Sequence, residues 1–253
     1  MPQDLPYREF YYPLNVFMYV LSHEEGVVRY LHYGLFESER ESIGTAQERS
    51  TDLLLARLPP PPARILEAGI GVGTTLARLT RSGYDATGIT PDPKQAAIVH
   101  ERYGDELRVH CHAFEDFEED GAYDCVLFQE SAQYIDAEAL FARARELTPY
   151  VVVADEFALR PIETPGALHT YERFLAAAAS YGFHLEEEVD LSARAAPTID
   201  YFLTRLPMYR EALVADLALT PEQIDELLAS GTTYRELYRA GTYGYRLLAL
   251  RRD

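Results

Sequence analysis

The feature that most constrains the fold of this chain is a series of short apolar segments that alternate with helical stretches after residue 62. The segments are ARILEAG, YDATGIT, LRVHCHA, YDCVLFQ and YVVVADEF, and helices are predicted to begin at Thr74, Pro93 and Ala137. Strand, helix and strand in repeated succession require right-handed crossovers and a parallel sheet covered on both faces. The runs CVLF and VVVA are continuously apolar, as burial on both faces demands. The sequence therefore predicts an α/β fold built on a mostly parallel sheet.

The regions before and after these segments have different patterns. The run Pro59 to Pro62 separates a helical leader, in which Thr45 to Leu58 has one apolar face, from the alternating region. After that region come a helix around Leu168 to Tyr181, a strand FHLEEEVDL, a helical stretch from Thr198 to Arg239 and a final strand YGYRLLALRR. We predict a single domain with a seven-stranded, Rossmann-like sheet, helices on both faces, a leader (1–58), a core (59–194), a cap (195–240) and a last strand (241–253). The cap either covers a ligand or is a peripheral helical layer.

Composition excludes several classes of function. The formal net charge is −18, from 23 Lys and Arg against 41 Asp and Glu, which repels nucleic acid and anionic membrane surfaces. No apolar run approaches the roughly 20 residues of a bilayer crossing. The first residues, MPQDLPYREFYYPLN, do not have the pattern of a secretory signal. We therefore predict a cytoplasmic protein with a small-molecule substrate, no nucleic-acid partner and no membrane span.

A glycine-rich turn follows the first strand and opens a helix at Thr74. It reads Glu67-Ala-Gly69-Ile-Gly71-Val-Gly73, and glycine permits both positive φ and close approach of a ligand to the main chain. A dinucleotide fingerprint spaces its glycines G-x-G-x-x-G. Here the spacing is G-x-G-x-G, which disfavours a nicotinamide oxidoreductase. The turn also follows an acid, Glu67, whose carboxylate is suited to bind a cationic amino group.

This turn resembles motif I of class I S-adenosylmethionine-dependent methyltransferases, and the resemblance extends in family order from about Leu31 to Phe157. It is closest to the small-molecule branch that includes the cyclopropane and mycolic acid synthases. The family implies S-adenosylmethionine as cofactor. Tyr33 stands where the cyclopropane synthases have a cysteine, and no Glu-His pair follows the fourth strand, which argues against cyclopropanation. No spacing supports a metal site.

The resemblance also implies which residues contact the cofactor. The segment GITPDPKQ is similar to G-L-T-x-S-x-x-Q and places Thr90 and Gln95 at the ribose, with Asp92 as a rival; AFEDF is similar to G-W-E-Q-F and places Phe114 and Glu115 at the adenine. His32-Tyr33-Gly34 in the leader resembles an H-Y-G segment that lies near the cofactor in several small-molecule methyltransferases, which implies Tyr33 as a cofactor contact. The predicted cofactor-binding residues are Tyr33, Glu67, Gly69, Gly71, Gly73, Thr90, Gln95, Phe114, Glu115 and Gln129.

Candidates for the acceptor side follow the fourth strand. Parallel-sheet enzymes place functional groups at the carboxyl ends of strands, and CVLF ends in the polar run QESAQY. Glu130 and Tyr134 are the leading catalytic candidates, with a helix-start carboxylate and core packing as their structural alternatives. His169 is a candidate general base or a surface histidine. Nineteen tyrosines concentrate in the leader and in the C-terminal part, where phenol rings attract cations.

The sequence thus predicts methyl transfer from S-adenosylmethionine to an O, N or C nucleophile of a small molecule, such as a natural product or a lipid-like metabolite. The alternative is a protein of the same fold that keeps the cofactor without methylating, such as a cyclase.

Overall fold

The computed structural model describes residues 7–38, 40–119, 121–161 and 168–252. The described ranges contain seven strands, which are β1 (Arg64–Ala68), β2 (Asp85–Ile89), β3 (Arg108–His110), β4 (Cys125–Gln129), β5 (Tyr150–Ala158), β6 (Phe183–Asp190) and β7 (Tyr243–Arg252). They form one sheet in the order β3-β2-β1-β4-β5-β7-β6. The pairs β3-β2, β2-β1, β1-β4 and β4-β5 are parallel, and β7 is antiparallel to both β5 and β6.

The helices have sequence-encoded starts where the chain supplies a cap. The Asp92 carboxylate accepts from the Lys94 amide before α4, and the Asp136 carboxylate accepts from the Ala139 amide before α5. The helices are α1 (Leu14–Glu25), α2 (Ile43–Leu55), α3 (Thr74–Arg81), α4 (Pro93–Tyr103), α5 (Ala137–Leu147), α6 (Tyr171–Ser180), α7 (Ser192–Ala195), α8 (Pro197–Arg205), α9 (Arg210–Leu217) and α10 (Pro221–Arg239).

The predicted Rossmann-like fold is confirmed. From β1 the chain moves outward to β2 and β3, then returns to β4 and β5 on the other side. Right-handed crossovers in opposite directions put the connecting helices on opposite faces of the sheet. The core is formed by buried side chains of the central strands and of α5 and α6, among them Leu66, Phe128, Val153, Phe141 and Phe174.

The helical stretch predicted from Thr198 to Arg239 is helical in the structure. It is divided into α8, a 3-10 turn at Leu206–Tyr209, α9 and α10. Pro207 and Pro221 each lie at the start of a new element, where a missing amide costs least. Ala218 between α9 and α10 adopts a left-handed conformation, with φ 56°.

The chain divides into two compact units, Met1–Ser50 with Ala193–Ala240, and Thr51–Ser192 with Gly241–Asp253. The first unit has its own core, formed by Val16 and Val20 of α1 with Leu213 and Leu217 of α9. The second unit contains the whole sheet. The interpretation of the chain as one domain with boundaries at 58, 194 and 240 stays a prediction. No helix in the described ranges has the length and apolar character needed to cross a membrane.

Candidate functional site

The sheet reverses its strand order between β1 and β4, and this is where a binding crevice is expected. β2 and β3 lie on one side of β1, and β4 and β5 lie on the other. In open α/β sheets, ligands bind outside the carboxyl ends of the strands at such a switch point. The glycine turn and Glu130 both follow strands that end there. The topology alone therefore brings these two sequence-predicted features to one edge of the sheet.

The glycine turn is tightly packed against the segment after β4. Gly69, Gly71 and Gly73 have φ of 83°, 52° and 82°, a region that favours glycine. A Cβ on Gly69 would lie 2.4 Å from Cβ of Ser131. The Ser131 hydroxyl donates to the Ala68 carbonyl at 2.5 Å. The turn thus leaves no room for a side chain at position 69 and joins the ends of β1 and β4.

Glu67 is a buried carboxyl group at the base of this turn. It lies on β1 between Gly88 of β2 and Leu127 of β4, and only 3% of its surface is exposed. Its Oε2 atom has no hydrogen-bond partner among the described residues. Burial raises the pKa of Glu67 to about 8, because the charged form is poorly solvated there. A cationic group brought to Glu67 would supply the partner that this oxygen lacks.

Further acidic side chains lie on β5 and directly after β4. The Tyr245 hydroxyl donates to Oε1 of Glu130 at 2.8 Å, and the backbone of Glu130 has φ 55°. Asp155 and Glu156 of β5 are buried and act electrostatically on Tyr245. Burial raises the pKa of Asp155 to about 7. In the described ranges, no three His, Cys, Asp or Glu side chains are arranged to hold a metal ion.

The sequence matches a known family over part of this unit. Residues 65–149 match the family described as Methyltransferase domain. They carry a methyltransferase domain. The match includes the glycine turn, Glu67 and the end of β4.

Solved structures of similar fold agree with this assignment. The cyclopropane synthase MmaA2 from Mycobacterium tuberculosis superimposes with a TM-score of 0.77 at 21% identity, covering 87% of this chain and 89% of that chain. The [4+2]-cyclase SpnF matches with a TM-score of 0.77 at 21% identity, covering 92% of each. Geranyl diphosphate C-methyltransferase from Streptomyces coelicolor A3(2) matches with a TM-score of 0.67 at 18% identity, covering 99% of this chain and 100% of that chain.

No curated protein matches the sequence. At these identities the structural likeness establishes the fold. Together with the family match, it confirms the predicted class I fold and methyltransferase as the enzyme class. S-Adenosylmethionine is the cofactor that this resemblance implies.

The residues of the methyltransferase domain fit this cofactor. Its amino-acid end carries an ammonium group, for which Glu67 offers a buried oxygen without a partner. The glycine turn offers backbone without side chains, and a Cβ on Gly73 would lie 2.8 Å from the Val99 side chain. These are the residues that would hold the amino-acid end.

The predicted ribose-side residues lie after β2 and contact each other. The Thr90 hydroxyl donates to Oε1 of Gln95 at 2.9 Å, and the Asp92 amide donates to the Thr90 hydroxyl at 3.2 Å. Thr90 is buried and Gln95 is half-buried. The carboxylate of the rival Asp92 caps α4 through the Lys94 amide. Ribose contact by Thr90 and Gln95 stays a prediction.

The predicted adenine-side residues have opposite environments. Phe114 is buried and meets Phe128 edge-on, with ring centroids 5.0 Å apart. Glu115 is exposed to solvent. The Phe114 ring is therefore packed in the core, and adenine contact by either residue stays a prediction.

Gln129 is held by protein partners on both sides of its amide. Its Oε1 accepts from the Thr75 hydroxyl at 3.2 Å, and its Nε2 donates to the Thr51 hydroxyl at 3.3 Å. Gln129 thus joins the start of α3 to the end of β4, and direct cofactor contact stays a prediction.

Tyr33 lies in the first unit and is half-buried. The amide of its neighbour Gly34 donates to the Thr198 hydroxyl at 3.0 Å. Its assignment to the cofactor stays a prediction.

The three catalytic candidates are distinguished by their surroundings. Glu130 is half-buried and accepts a hydrogen bond from the Tyr245 hydroxyl. Tyr134 is 73% exposed, so its alternative interpretation as core packing is wrong. His169 directs Nε2 to the carbonyls of Ala132 and Ile135, at 3.1 and 2.9 Å. His169 therefore fixes the turn after β4, and its proposed action as a base is untested.

Sequence patterns predicted no individual role for Asp155, Glu156 or Tyr245. Asp155 and Glu156 are part of the strand segment YVVVADEF, in which two adjacent acids follow five apolar residues. These two acids could have been predicted from the sequence, because functional groups are expected at the ends of buried parallel strands. No sequence signal identified Tyr245, because its proximity to Glu130 depends on the pairing of β7 with β5.

Proposed function

We propose that this methyltransferase transfers the methyl group of S-adenosylmethionine to an O, N or C nucleophile of a small molecule, such as a natural product or a lipid-like metabolite. The bound cofactor supplies a methyl group already activated by its sulfonium. The chain's own residues then have three tasks: to hold the amino-acid end of the cofactor, to orient the acceptor, and to take the proton that the acceptor loses.

Glu67 and the glycine turn perform the first task. A carboxyl group buried without a partner stays protonated near neutral pH. An ammonium group placed beside it favours the ionised form and forms a charge-assisted hydrogen bond. The orphaned Oε2 of Glu67 at the glycine turn is the observation that carries the proposal.

Glu130 performs the third task. It follows β4 directly, and its turn packs on the glycine turn through Ser131. Its left-handed backbone, with φ 55°, is costly for a residue with a side chain and is typical of functional sites. A carboxylate in this place is suited to accept a proton from an acceptor atom.

The acceptor class rests on charge and on relatives. The net charge of −18 disfavours nucleic acid as a substrate. A structure of similar fold is named a mycolic acid cyclopropane synthase, and another a geranyl diphosphate C-methyltransferase. A small acceptor agrees with both observations. Activity in the cytoplasm and enclosure of the acceptor by the leader and residues 195–240 stay predictions.

Calorimetry of the full chain with S-adenosylhomocysteine tests the proposal. We expect saturable binding that is weakened at least about tenfold by Glu67→Gln, since a charge-assisted hydrogen bond contributes about 1.5–3 kcal/mol. Glu101→Gln, at an exposed position of α4, is the matched control and should leave binding unchanged. Wild-type protein that does not bind S-adenosylhomocysteine refutes the proposal.

Transfer of labelled methyl from S-adenosylmethionine to a panel of small acceptors separates the two functions. Appearance of labelled product supports methylation. Binding without methyl loss in the presence of an acceptor that is nevertheless converted would favour the non-methylating alternative, such as a cyclase. One structure of similar fold is named the [4+2]-cyclase SpnF.

A further inference from the structure

Tyr245 is a fully buried phenol whose hydroxyl is directed to a carboxylate. It is 0% exposed, and its hydroxyl lies 2.8 Å from Oε1 of Glu130, a residue 115 positions away in the chain. The antiparallel pairing of β7 with β5 places Tyr245 opposite Glu156. The contact therefore depends on the sheet register and not on local sequence.

The backbone of Glu130 is fixed by β5. Its amide donates to the Ala154 carbonyl at 2.8 Å. One residue further along β5, Asp155 accepts from the Gln133 amide at 3.1 Å and from the Glu156 amide at 2.8 Å. Asp155 thus holds the turn that follows Glu130. With the turn held, the hydrogen bond from Tyr245 fixes the carboxylate at the end of the side chain.

Acidic side chains surround the Tyr245 phenol. Asp155 and Glu156 of β5 contribute negative potential at Tyr245, and Arg246, the next residue on β7, binds Glu188 and Asp190. Burial, followed by the effects of Glu130 and Asp155, raises the pKa of Tyr245 well above its usual range. The phenol therefore stays protonated and donates, which favours the charged form of its acceptor.

We propose that Tyr245 is a positioning residue that holds Glu130 ionised and oriented to accept the proton of the methyl acceptor. This inference rests on the proposed function. As the acceptor atom bonds to the methyl carbon, the carbon–sulfur bond breaks with its electron pair left on sulfur, and the acceptor's proton passes to Glu130. Tyr245 keeps its own proton throughout.

Titration of Glu130 tests this without an acceptor. In full-length protein with isotope-labelled glutamate carboxyls, the Glu130 resonance is assigned by its loss in Glu130→Gln. We expect Tyr245→Phe to raise the midpoint of its titration by about one pH unit, the size expected for loss of a charge-assisted hydrogen bond. The matched control is Tyr150→Phe, which removes another buried hydroxyl of the sheet, bonded to the Arg57 carbonyl at 3.1 Å. It should leave the midpoint unchanged.

A variant that keeps the tyrosine ring distinguishes an effect on Glu130 from misfolding. Fluorinated tyrosine placed at position 245 keeps the ring and makes the hydroxyl a stronger donor, so the midpoint should move to lower pH. With an acceptor identified in the screen, Tyr245→Phe should lower kcat about tenfold below the new midpoint and leave KM unchanged. Activity should recover at higher pH, which a loss of folding would not produce.

The outcomes are distinct. A Glu130 midpoint that is the same in wild type, in Tyr245→Phe and with fluorinated tyrosine refutes the positioning role, even where S-adenosylhomocysteine binds. Wild-type protein that fails to bind S-adenosylhomocysteine refutes the proposed function, even where the midpoint moves.

Discussion

Replacement of Glu67 by glutamine is expected to change the pH dependence of stability of the protein without ligand. Burial raises the pKa of Glu67 from 4.5 to about 8. Between these values the folded state binds a proton that the unfolded state has released. Stability conferred by this group is therefore complete below pH 4.5 and is lost as pH rises through about 8.

The magnitude follows from the same two values. A difference of about 3.5 pKa units, at 1.36 kcal/mol for each unit, corresponds to about 5 kcal/mol between low and high pH. Glutamine keeps the shape of the side chain and cannot ionise. The free energy of unfolding of Glu67→Gln should therefore rise relative to wild type by several kcal/mol between pH 4.5 and pH 9.

Urea unfolding at a series of pH values measures this difference. Glu101→Gln, at an exposed position, should follow the wild-type curve within about 0.5 kcal/mol at every pH. Binding of saturating S-adenosylhomocysteine near pH 7 should release close to one proton from the wild-type protein, because the ammonium of the ligand favours the ionised form of Glu67. The Glu67→Gln variant should release no proton from this site. Parallel stability curves for wild type and Glu67→Gln would show that Glu67 is ionised and solvated at neutral pH, and the reasoning would fail.

Two further predictions concern the stability of the fold. Gly69→Ala should destabilise the protein by more than about 2 kcal/mol in urea unfolding, because its Cβ would lie 2.4 Å from Cβ of Ser131. Gly26→Ala, at a similar φ of 74° with no atom within 4 Å, should cost only about 1 kcal/mol, and equal costs would contradict the clash. Tyr19→Phe should lower the free energy of unfolding by about 1.5 kcal/mol at pH 7, because it removes a 2.6 Å hydrogen bond to Asp216. An unchanged midpoint of urea unfolding would contradict this.

Local signals determined most of the fold. The helix predicted over Ala137–Leu147 and the strand YGYRLLALRR have the predicted bounds, because the Asp136 cap and the apolar run are each contained in a few residues. The helix predicted over Thr45–Leu58 is observed at Ile43–Leu55. Its start is set by Ser42, whose hydroxyl accepts from the Thr45 amide at 3.1 Å.

The site was less accessible to sequence reasoning, because its central contacts join distant strands. The sequence predicted functional groups at the carboxyl ends of parallel strands, and the sheet order shows that β1 and β4 are neighbours there. The role of Tyr245 depends on the register of an antiparallel strand that returns at the end of the chain. Nothing near position 245 distinguishes it from Tyr243, which lies on the same strand. In the same way, the exposure of Tyr134 depends on a 3-10 turn that breaks the pattern after β4.

The position of the site also follows from energetics without reference to relatives. The interior of the sheet is apolar, and groups that are costly to bury gather at one edge. Glu67 and Asp155 have pKa values raised to about 8 and about 7 by burial, and Glu130 adopts a left-handed backbone. Each feature lowers stability by an amount that packing elsewhere must offset. The contact between the Gly69 turn and Ser131 joins the ends of β1 and β4, so a ligand that supplies a cation to Glu67 at this edge would relieve the cost of burying that carboxyl group.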